Sequence, residues 1–299
     1  MNFFEAVRQN SLEIVCNRTF RESLPFCRVR ERLRKDPTLE GLYSLGGSMR
    51  EIFTADFRPS ESRYGAKSDG SRAGQLWQDL CVWYLNAMSC GTKTVVIPKK
   101  NKGLLPAEIL SAFTVYSGEE EVRSITDPIA ISIPSTSRIP EFRSSFEYDE
   151  LVPEFRSFLM RHSSELRITI LLHQTNCSDM IQIPMLLDLV RSKDFHHPQV
   201  EVGIGNWTPS SFSVVRTAYI TAPTGGKHLE WGSDTVQPRR ARSFSGGAYW
   251  GLPSDEDLGF HSLDRIFNRQ TMLALRENVG QGFIEGLADP DFRRLFGLW

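Results

Sequence analysis

The sequence predicts an α/β fold in which a mixed β-sheet is flanked by helices. Segments rich in β-branched residues interleave with segments of helical periodicity along the 299-residue chain. Two or three of the strands are apolar throughout, which is typical of strands covered on both faces. We therefore expect a single domain over residues 1–299, with a helical part at 1–60, an α/β core at 74–224, and a long loop with C-terminal helices at 225–299.

The N-terminal part is predicted to be helical and to end in a polar loop. Residues 1–35 have helical spacing and form one or two helices, with a basic face at 28–35. Such a face is more often a solvated surface than a phosphate site. Residues 55–73 combine Gly, Ser and Pro with basic residues, which favours a linker over a loop that orders on DNA. A strongly buried helix follows at 74–88.

The core segment alternates further strands with helices. Short apolar or alternating runs predict the strands, which are 92–100, 124–134, 168–172, 200–205 and 211–224. Longer segments of helical spacing, some with proline near the first turn, predict helices at 106–118, 147–162 and 184–190. Short helices are predicted again at 262–298.

Composition limits the function classes and the compartment. The 35 basic and 36 acidic residues nearly cancel, so a nucleic-acid partner would have to meet a local basic patch. The five cysteines show no CxxC spacing, which is typical of reduced thiols in the cytoplasm. We expect a cytoplasmic protein with no membrane partner, because no apolar run is long enough for a transmembrane helix and the N-terminus does not have the pattern of a secretory signal.

A polar segment at residues 173–179 follows the apolar strand 168–172 and is the best candidate for an active-site edge. Nucleotide-binding signatures and the common hydrolase motifs are absent from the sequence. A metal-dependent phosphodiesterase requires less sequence, because it needs only two or three carboxylates that converge on Mg²⁺. Carboxylates near strand ends are therefore the candidate metal ligands.

Each candidate side chain also has a structural interpretation. Asp127 opens a strand and suits a first metal ligand, although an Asp before Pro128 more often caps a turn. Asp79 suits a second ligand on helix 74–88, or it belongs to a polar helix stripe. Asp179 either binds metal or caps the following helix. His173 is either a general base or a structural hydrogen-bonding group.

Residues 237–251 are the best candidate for contact with DNA. They combine three arginines with a Ser-Gly-Gly turn and the aromatic pair Tyr249-Trp250. Guanidinium groups suit phosphates and guanine edges, and glycines permit close backbone approach. The alternative is a basic loop that folds back on the core. The residues predicted to contact DNA are Arg239, Arg240, Arg242, Ser245, Tyr249 and, from the polar segment, Asn176.

Two strings of the sequence resemble type II restriction endonucleases of the PD-(D/E)xK fold class. They are QTNCSDMIQIPMLLDLV (174–190) and ARSFSGGAYWGLPS (241–254), about a tenth of the chain. The resemblance implies a restriction-endonuclease-like core, Mg²⁺-dependent cleavage of double-stranded DNA, and a homodimer that reads a palindromic site. It also implies that Asp127 is the principal metal ligand, with Asp79 or Asp179 second, and that Gln174 lies near the attacking water.

The sequence departs from the family pattern at the catalytic strand. Leu172, His173 and Gln174 stand where an acid-x-lysine triplet is expected, and Gln78 stands where the family commonly has a glutamate. A glutamine can orient water but supplies no positive charge. Three alternatives follow: a metal site rebuilt from aspartates, a DNA-binding relative that does not cut, or an α/β protein with no nucleic-acid role.

Overall fold

The computed structural model describes residues 3–55, 66–123, 127–134, 148–174, 198–221, 249–250 and 280–298, and it confirms a mixed α/β fold with a mixed sheet flanked by helices. The helices of these ranges are α1 (Phe3–Val15), α2 (Arg18–Arg21), α3 (Leu24–Lys35), α4 (Leu39–Thr54), α5 (Ala66–Met88), α6 (Ala107–Ser111), α7 (Tyr148–Arg161), α8 (Gln281–Gly286) and α9 (Pro290–Leu295). The strands are β1 (Thr94–Ile97), β2 (Val115–Ser117), β3 (Glu120–Arg123), β4 (Ile129–Ser132), β5 (Arg167–Gln174), β6 (Val200–Val202), β7 (Val214–Thr221) and β8 (Tyr249–Trp250).

The strands form two sheets. The larger has the order β1-β4-β5-β7-β8, and the smaller has the order β3-β2-β6. In the larger sheet β4 pairs antiparallel with both β1 and β5, whereas β7 is parallel to β5 and to β8. The parallel β5–β7 pair runs over eight residues from Arg167 and Val214 to Gln174 and Thr221, and it is the longest ladder described.

Alternate residues of the central strands enter two different cores. On one face, Ala130 and Leu171 pack with helix α5 and with helices α3 and α4. On the other face, Ile129 and Ile170 pack with the phenylalanines of α1 and α7. Because side chains alternate across a strand and both sets are apolar, these strands are buried on both faces. Strand β4 is accordingly buried at all four positions.

Side-chain caps fix where the N-terminal helices begin. Asn17, Ser23 and Thr38 each accept a hydrogen bond from the backbone N–H three residues later, at the starts of α2, α3 and α4. These caps satisfy N–H groups that have no partner within the helix. None of the described helices is long and apolar enough to span a membrane.

Helix α1 lies along the outer side of β1 and contributes to both cores. Arg8 is 1% exposed, and its guanidinium donates to the carbonyls of Ser89 (2.7 Å), which follows α5, and Thr94 (2.5 Å), the first residue of β1. It also forms an ion pair with Glu5, which accepts from the Gly91 N–H at 2.7 Å. The first helix is therefore tied to a turn more than eighty residues away in the chain.

Several predicted boundaries need correction. Helix α5 begins at Ala66, inside the segment predicted to be a polar loop. Helix α4 lies within the part predicted to be helical at 1–60, beyond residues 1–35 for which individual helices were predicted. The helix predicted at 106–118 ends at Ser111, because Val115 already pairs with Val202 in the smaller sheet. The predicted helix 184–190 lies outside the described residues.

Candidate functional site

The end of the large sheet where β5 and β7 terminate is also where β4 begins. Ile129 of β4 lies opposite Ile170 of β5, and one step further the Leu171 N–H donates to the Pro128 carbonyl at 2.9 Å. Asp127 therefore precedes the first residue of this ladder, next to the end of β5. The start of β4, with its acid Asp127, thus meets the polar end of β5 at one end of the sheet, although the two segments are far apart in sequence.

Asp127 opens β4, as the sequence predicted, and its side chain is half-buried. The strand that follows Asp127 is buried on both faces and fixes the adjoining backbone, so the position of this residue is set by the sheet. An aspartate at the end of a rigid strand is suited to oxygen coordination of a hard cation or to capping of the bend it occupies.

Asp79 is a buried carboxyl group on α5. It is 7% exposed, and its Oδ1 accepts a hydrogen bond from Gln75 Nε2 at 2.8 Å. Burial raises the pKa of Asp79 to about 6, although the Gln75 hydrogen bond and the charge of Lys100 act in the opposite direction. Asp79 therefore does not belong to a solvent-facing polar stripe. Its carboxyl group loses its proton as pH rises through about 6.

Contacts of α5 locate Asp79 at the same end of the sheet as Asp127. Lys100, whose charge lowers the pKa of Asp79, follows the C-terminal end of β1. Two residues before Asp79, the Trp77 Nε1–H donates to the Ile220 carbonyl of β7 at 3.4 Å. Asp79 lies in the helical layer and Asp127 in the sheet, so the two acids share an end of the molecule but belong to different layers.

His173 of β5 has one ring nitrogen in a local hydrogen bond. Its Nδ1 is 2.9 Å from the Leu171 carbonyl, which can only accept, so Nδ1 carries the proton. Its Nε2 is shielded from solvent and has no hydrogen-bond partner in the described part of the chain. Burial lowers the pKa of His173 to about 3, so the ring is neutral near pH 7 and takes a proton poorly. These contacts favour the structural interpretation of His173 over a general base.

Strand β8 is a feature that the sequence analysis missed. Tyr249 and Trp250 pair with Tyr219 and Ile220 of β7, and Ile220 lies in register with His173. The aromatic pair predicted to lie in a loop is therefore part of the sheet, at the end that carries the candidate site. A strand of two residues has no periodicity to detect, so only its aromatic composition pointed to it.

Several predicted site residues are described by their backbone alone or lie outside the described residues. The backbones of Gln174 and Tyr249 belong to β5 and β8, and the structure does not describe their side chains. The predicted metal ligand Asp179 and the predicted DNA contacts Asn176, Arg239, Arg240, Arg242 and Ser245 lie outside the described residues.

The carboxylates at this end of the sheet suit Mg²⁺ by their donor chemistry. Magnesium binds oxygen and usually takes only one or two protein carboxylates, with water and substrate phosphates completing its shell. Asp127 and Asp79 offer such oxygens at this end of the sheet. Over the described ranges, no group of three or more His, Cys, Asp or Glu side chains is arranged to hold a metal. A complete set of protein ligands is thus not formed by the described residues.

Comparison with known proteins does not assign the chain to a family. No protein-family model matches it, no curated protein matches it, and no solved structure matches it. The features that point to a function are therefore the end of the sheet described above and the two short strings that resemble restriction endonucleases.

Proposed function

We propose that this chain is a restriction-endonuclease-like protein that cleaves phosphodiester bonds of double-stranded DNA with Mg²⁺. The observation that carries the proposal is the β4–β5 ladder, in which Asp127 adjoins the end of the strand that leads through Gln174 into the polar segment. An acid at the start of one strand, beside the polar end of its neighbour, is the arrangement that the resemblance implies for a nuclease site. The buried carboxyl of Asp79 at the same end adds a second oxygen donor.

The proposed roles follow from the chemistry of each side chain. Asp127 would hold the metal, with Asp79 or Asp179 as the second ligand. Bound Mg²⁺ supplies charge neutralisation of the phosphate and lowers the pKa of water. Because Asp79 has a pKa of about 6, its carboxyl becomes a better ligand as pH rises through that value. Gln174 would orient the attacking water by hydrogen bonding.

The proposed DNA contacts are the arginines of segment 237–251 with Tyr249, whose strand extends the sheet at this end. The guanidinium groups of Arg239, Arg240 and Arg242 suit phosphates and guanine edges. A homodimer is proposed because a two-fold pair is the simplest reader of a palindromic site.

The test is cleavage of unmethylated phage DNA in the presence of Mg²⁺. The wild-type chain is expected to give discrete fragments, and Asp127→Asn is expected to reduce the rate by about 100-fold or more, since a metal ligand contributes several kcal/mol to transition-state stabilisation. Asp149→Asn, which changes an exposed carboxylate on α7, serves as the matched control and should cut at the wild-type rate.

A second candidate function is DNA binding without cleavage. It is favoured by Leu172 and Gln174, which stand at the positions of the family's acid and lysine. Salt-dependent retention on duplex DNA with no fragments would support this binder and overturn the nuclease. A flat binding isotherm at low salt would contradict both and leave an α/β protein with no nucleic-acid role.

A further inference from the structure

The segment Lys99–Leu104 follows the edge strand β1 and lies at the end of the sheet that carries Asp127. The antiparallel β1–β4 ladder ends with Ile97 opposite Ile129. Lys99 comes two residues after this pair on one strand, and Asp127 comes two residues before it on the other. The lysine and the acid therefore flank the sheet at neighbouring positions, because paired antiparallel strands begin and end side by side.

Buried residues hold the backbone of this segment in place. Asn101 is 2% exposed, and its Nδ2 donates to the Asn10 Oδ1 of α1 at 2.6 Å. Leu104 lies in the core that contains the phenylalanines of α1 and α7. The Gly103 carbonyl accepts from Arg156 of α7 at 2.6 Å. The segment is therefore fixed between α1 and α7, and the fold sets the positions of its lysines.

Lys99 and Lys100 are exposed on this fixed backbone. Within the described part of the chain, neither lysine side chain forms a hydrogen bond or an ion pair. Burial dominates and raises the pKa of Asp79, but the charge of Lys100 acts in the opposite direction, so it reaches that buried carboxyl. Two cations without protein partners thus lie beside the two candidate metal ligands, Asp79 and Asp127.

We propose that Lys99 and Lys100 bind backbone phosphates of the substrate beside Asp127, at the site end of the larger sheet. The inference rests on the proposed function, and it names residues that hold the DNA where it would be cut. A phosphate that approaches this end meets the acids Asp127 and Asp79, so positive charge at the same place is needed to hold it. Each ammonium group offers three N–H donors, and neither must give up a described protein partner to bind an anion.

The test is equilibrium binding of a fluorescent DNA duplex to the full chain in EDTA, measured by anisotropy over a range of salt concentrations. Lys99→Gln/Lys100→Gln should weaken binding at low salt by about tenfold. It should also reduce the slope of log affinity against log salt by about 2, because two phosphate contacts are lost. Lys99→Arg/Lys100→Arg keeps both charges and should retain most of the affinity.

A matched control removes the same charge elsewhere. Arg32→Gln/Lys35→Gln changes two exposed residues of α3, which packs against α4. It should leave the salt slope unchanged, because side chains that contact no phosphate release no counterions on binding.

A third variant locates the phosphate. Asp127→Asn removes the acid beside the lysines and should tighten binding in EDTA by about twofold or more, because a nearby like charge no longer repels the phosphate. In the Lys99→Gln/Lys100→Gln background this gain should shrink, because the phosphate is no longer held next to residue 127. Loss of folding cannot produce a gain in affinity.

The outcomes distinguish the lysines from the proposed nuclease. Wild-type affinity and slope in Lys99→Gln/Lys100→Gln would overturn the inference, whether or not the chain cuts DNA. An equal loss in the α3 control would also overturn it, because binding would then follow total charge. Absence of the gain from Asp127→Asn, or its full persistence without the lysines, would overturn the position beside Asp127. Lysine-dependent binding without cleavage would support the inference while the nuclease fails. A wild-type chain that binds no duplex would overturn both.

Discussion

Two buried ionisable side chains near the candidate site have opposite effects on how stability depends on pH. Folding lowers the pKa of His173 from 6.5 to about 3, so the unfolded chain takes up the proton first and stability falls as pH drops below 6.5. Folding raises the pKa of Asp79 from 3.8 to about 6, so the folded chain keeps its proton longer and stability falls as pH rises from about 4 to 6. In that window the two contributions oppose each other.

Replacement of the buried acid separates these contributions. Asp79→Asn keeps an acceptor for Gln75 and removes the buried charge, so we expect the free energy of unfolding to rise by about 1 to 3 kcal/mol at pH 7.5 and to change little at pH 4. Urea unfolding at the two pH values measures the difference. Asp149→Asn, at an exposed site in the first turn of α7, should change each value by less than about 1 kcal/mol. A loss of stability in Asp79→Asn at pH 7.5 would mean that the charged form is stabilised in the folded chain.

Part of the candidate site could be predicted from the sequence, because the residues next to Asp127 show where it lies in the fold. The position of Asp127 before a Pro and an alternating run marks it as a strand opening. The segment of α1 packs near Asp79, since Cys16, the residue after α1, lies close enough to interact with the Asp79 charge from more than sixty residues away in the chain. No local pattern around Asp79 reports a helix that packs from such a distance, so its raised pKa was not predictable.

At the scale of elements, the outer edge of strand β1 is closed by a side chain. Asn86 of α5 donates from Nδ2 to the Val96 carbonyl at 2.8 Å, and its Oδ1 accepts from the Val96 N–H at 3.0 Å. One amide side chain thus makes the two hydrogen bonds that a neighbouring residue of another strand would make. The unpaired edge of a sheet can associate with other chains. Because β1 is an edge strand of the larger sheet, Asn86 protects that edge from such association.

Removal of this amide should expose the requirement for both hydrogen bonds. Asn86→Ala leaves the Val96 N–H and C=O buried without the partners they now have, so we expect a loss of about 2 to 4 kcal/mol in the free energy of unfolding. Urea unfolding measures the loss. Asn86→Leu restores side-chain volume without hydrogen bonding and serves as the control. If Asn86→Leu regains wild-type stability, packing rather than hydrogen bonding accounts for the role of Asn86.

Elements stabilised by their own sequence were predictable, and elements stabilised by distant partners were not. Helix α7 and strands β1, β5 and β7 follow their local periodicity to within a few residues. Helix α4 contains Gly46 and Gly47, which lower helix propensity, and a side chain at Gly46 would collide with the ring of Tyr84 on α5. Its glycine therefore serves helix packing, which a propensity argument does not register.

At the scale of the whole molecule, α1 couples the two cores. Phe4 and Val7 belong to the core on one face of the sheet, and Leu12 and Val15 belong to the core on the other. Arg8 lies between these pairs and binds the turn that connects α5 with β1. Because one rigid helix enters both cores, we expect the described parts of the chain to unfold together.

Loss of the buried guanidinium tests this coupling. Arg8→Met should lower the free energy of unfolding by about 2 to 4 kcal/mol, because the Ser89 and Thr94 carbonyls lose charged donors. Tryptophan fluorescence and far-ultraviolet circular dichroism should still report one coincident urea transition. Arg18→Met is the control, since Arg18 is 88% exposed and its pair with Glu22 should contribute less than about 1 kcal/mol. Separate transitions by the two probes would contradict the coupling.

The position of α1 in both cores also has a consequence for synthesis of the chain. The rings of Phe3 and Phe4 pack against Phe155 and Phe158, which a ribosome adds some 150 residues later. At about 5 to 20 residues per second, the first helix waits roughly 8 to 30 s before those partners exist. During that interval the rings of Phe3 and Phe4 are without these partners and are available to chaperones.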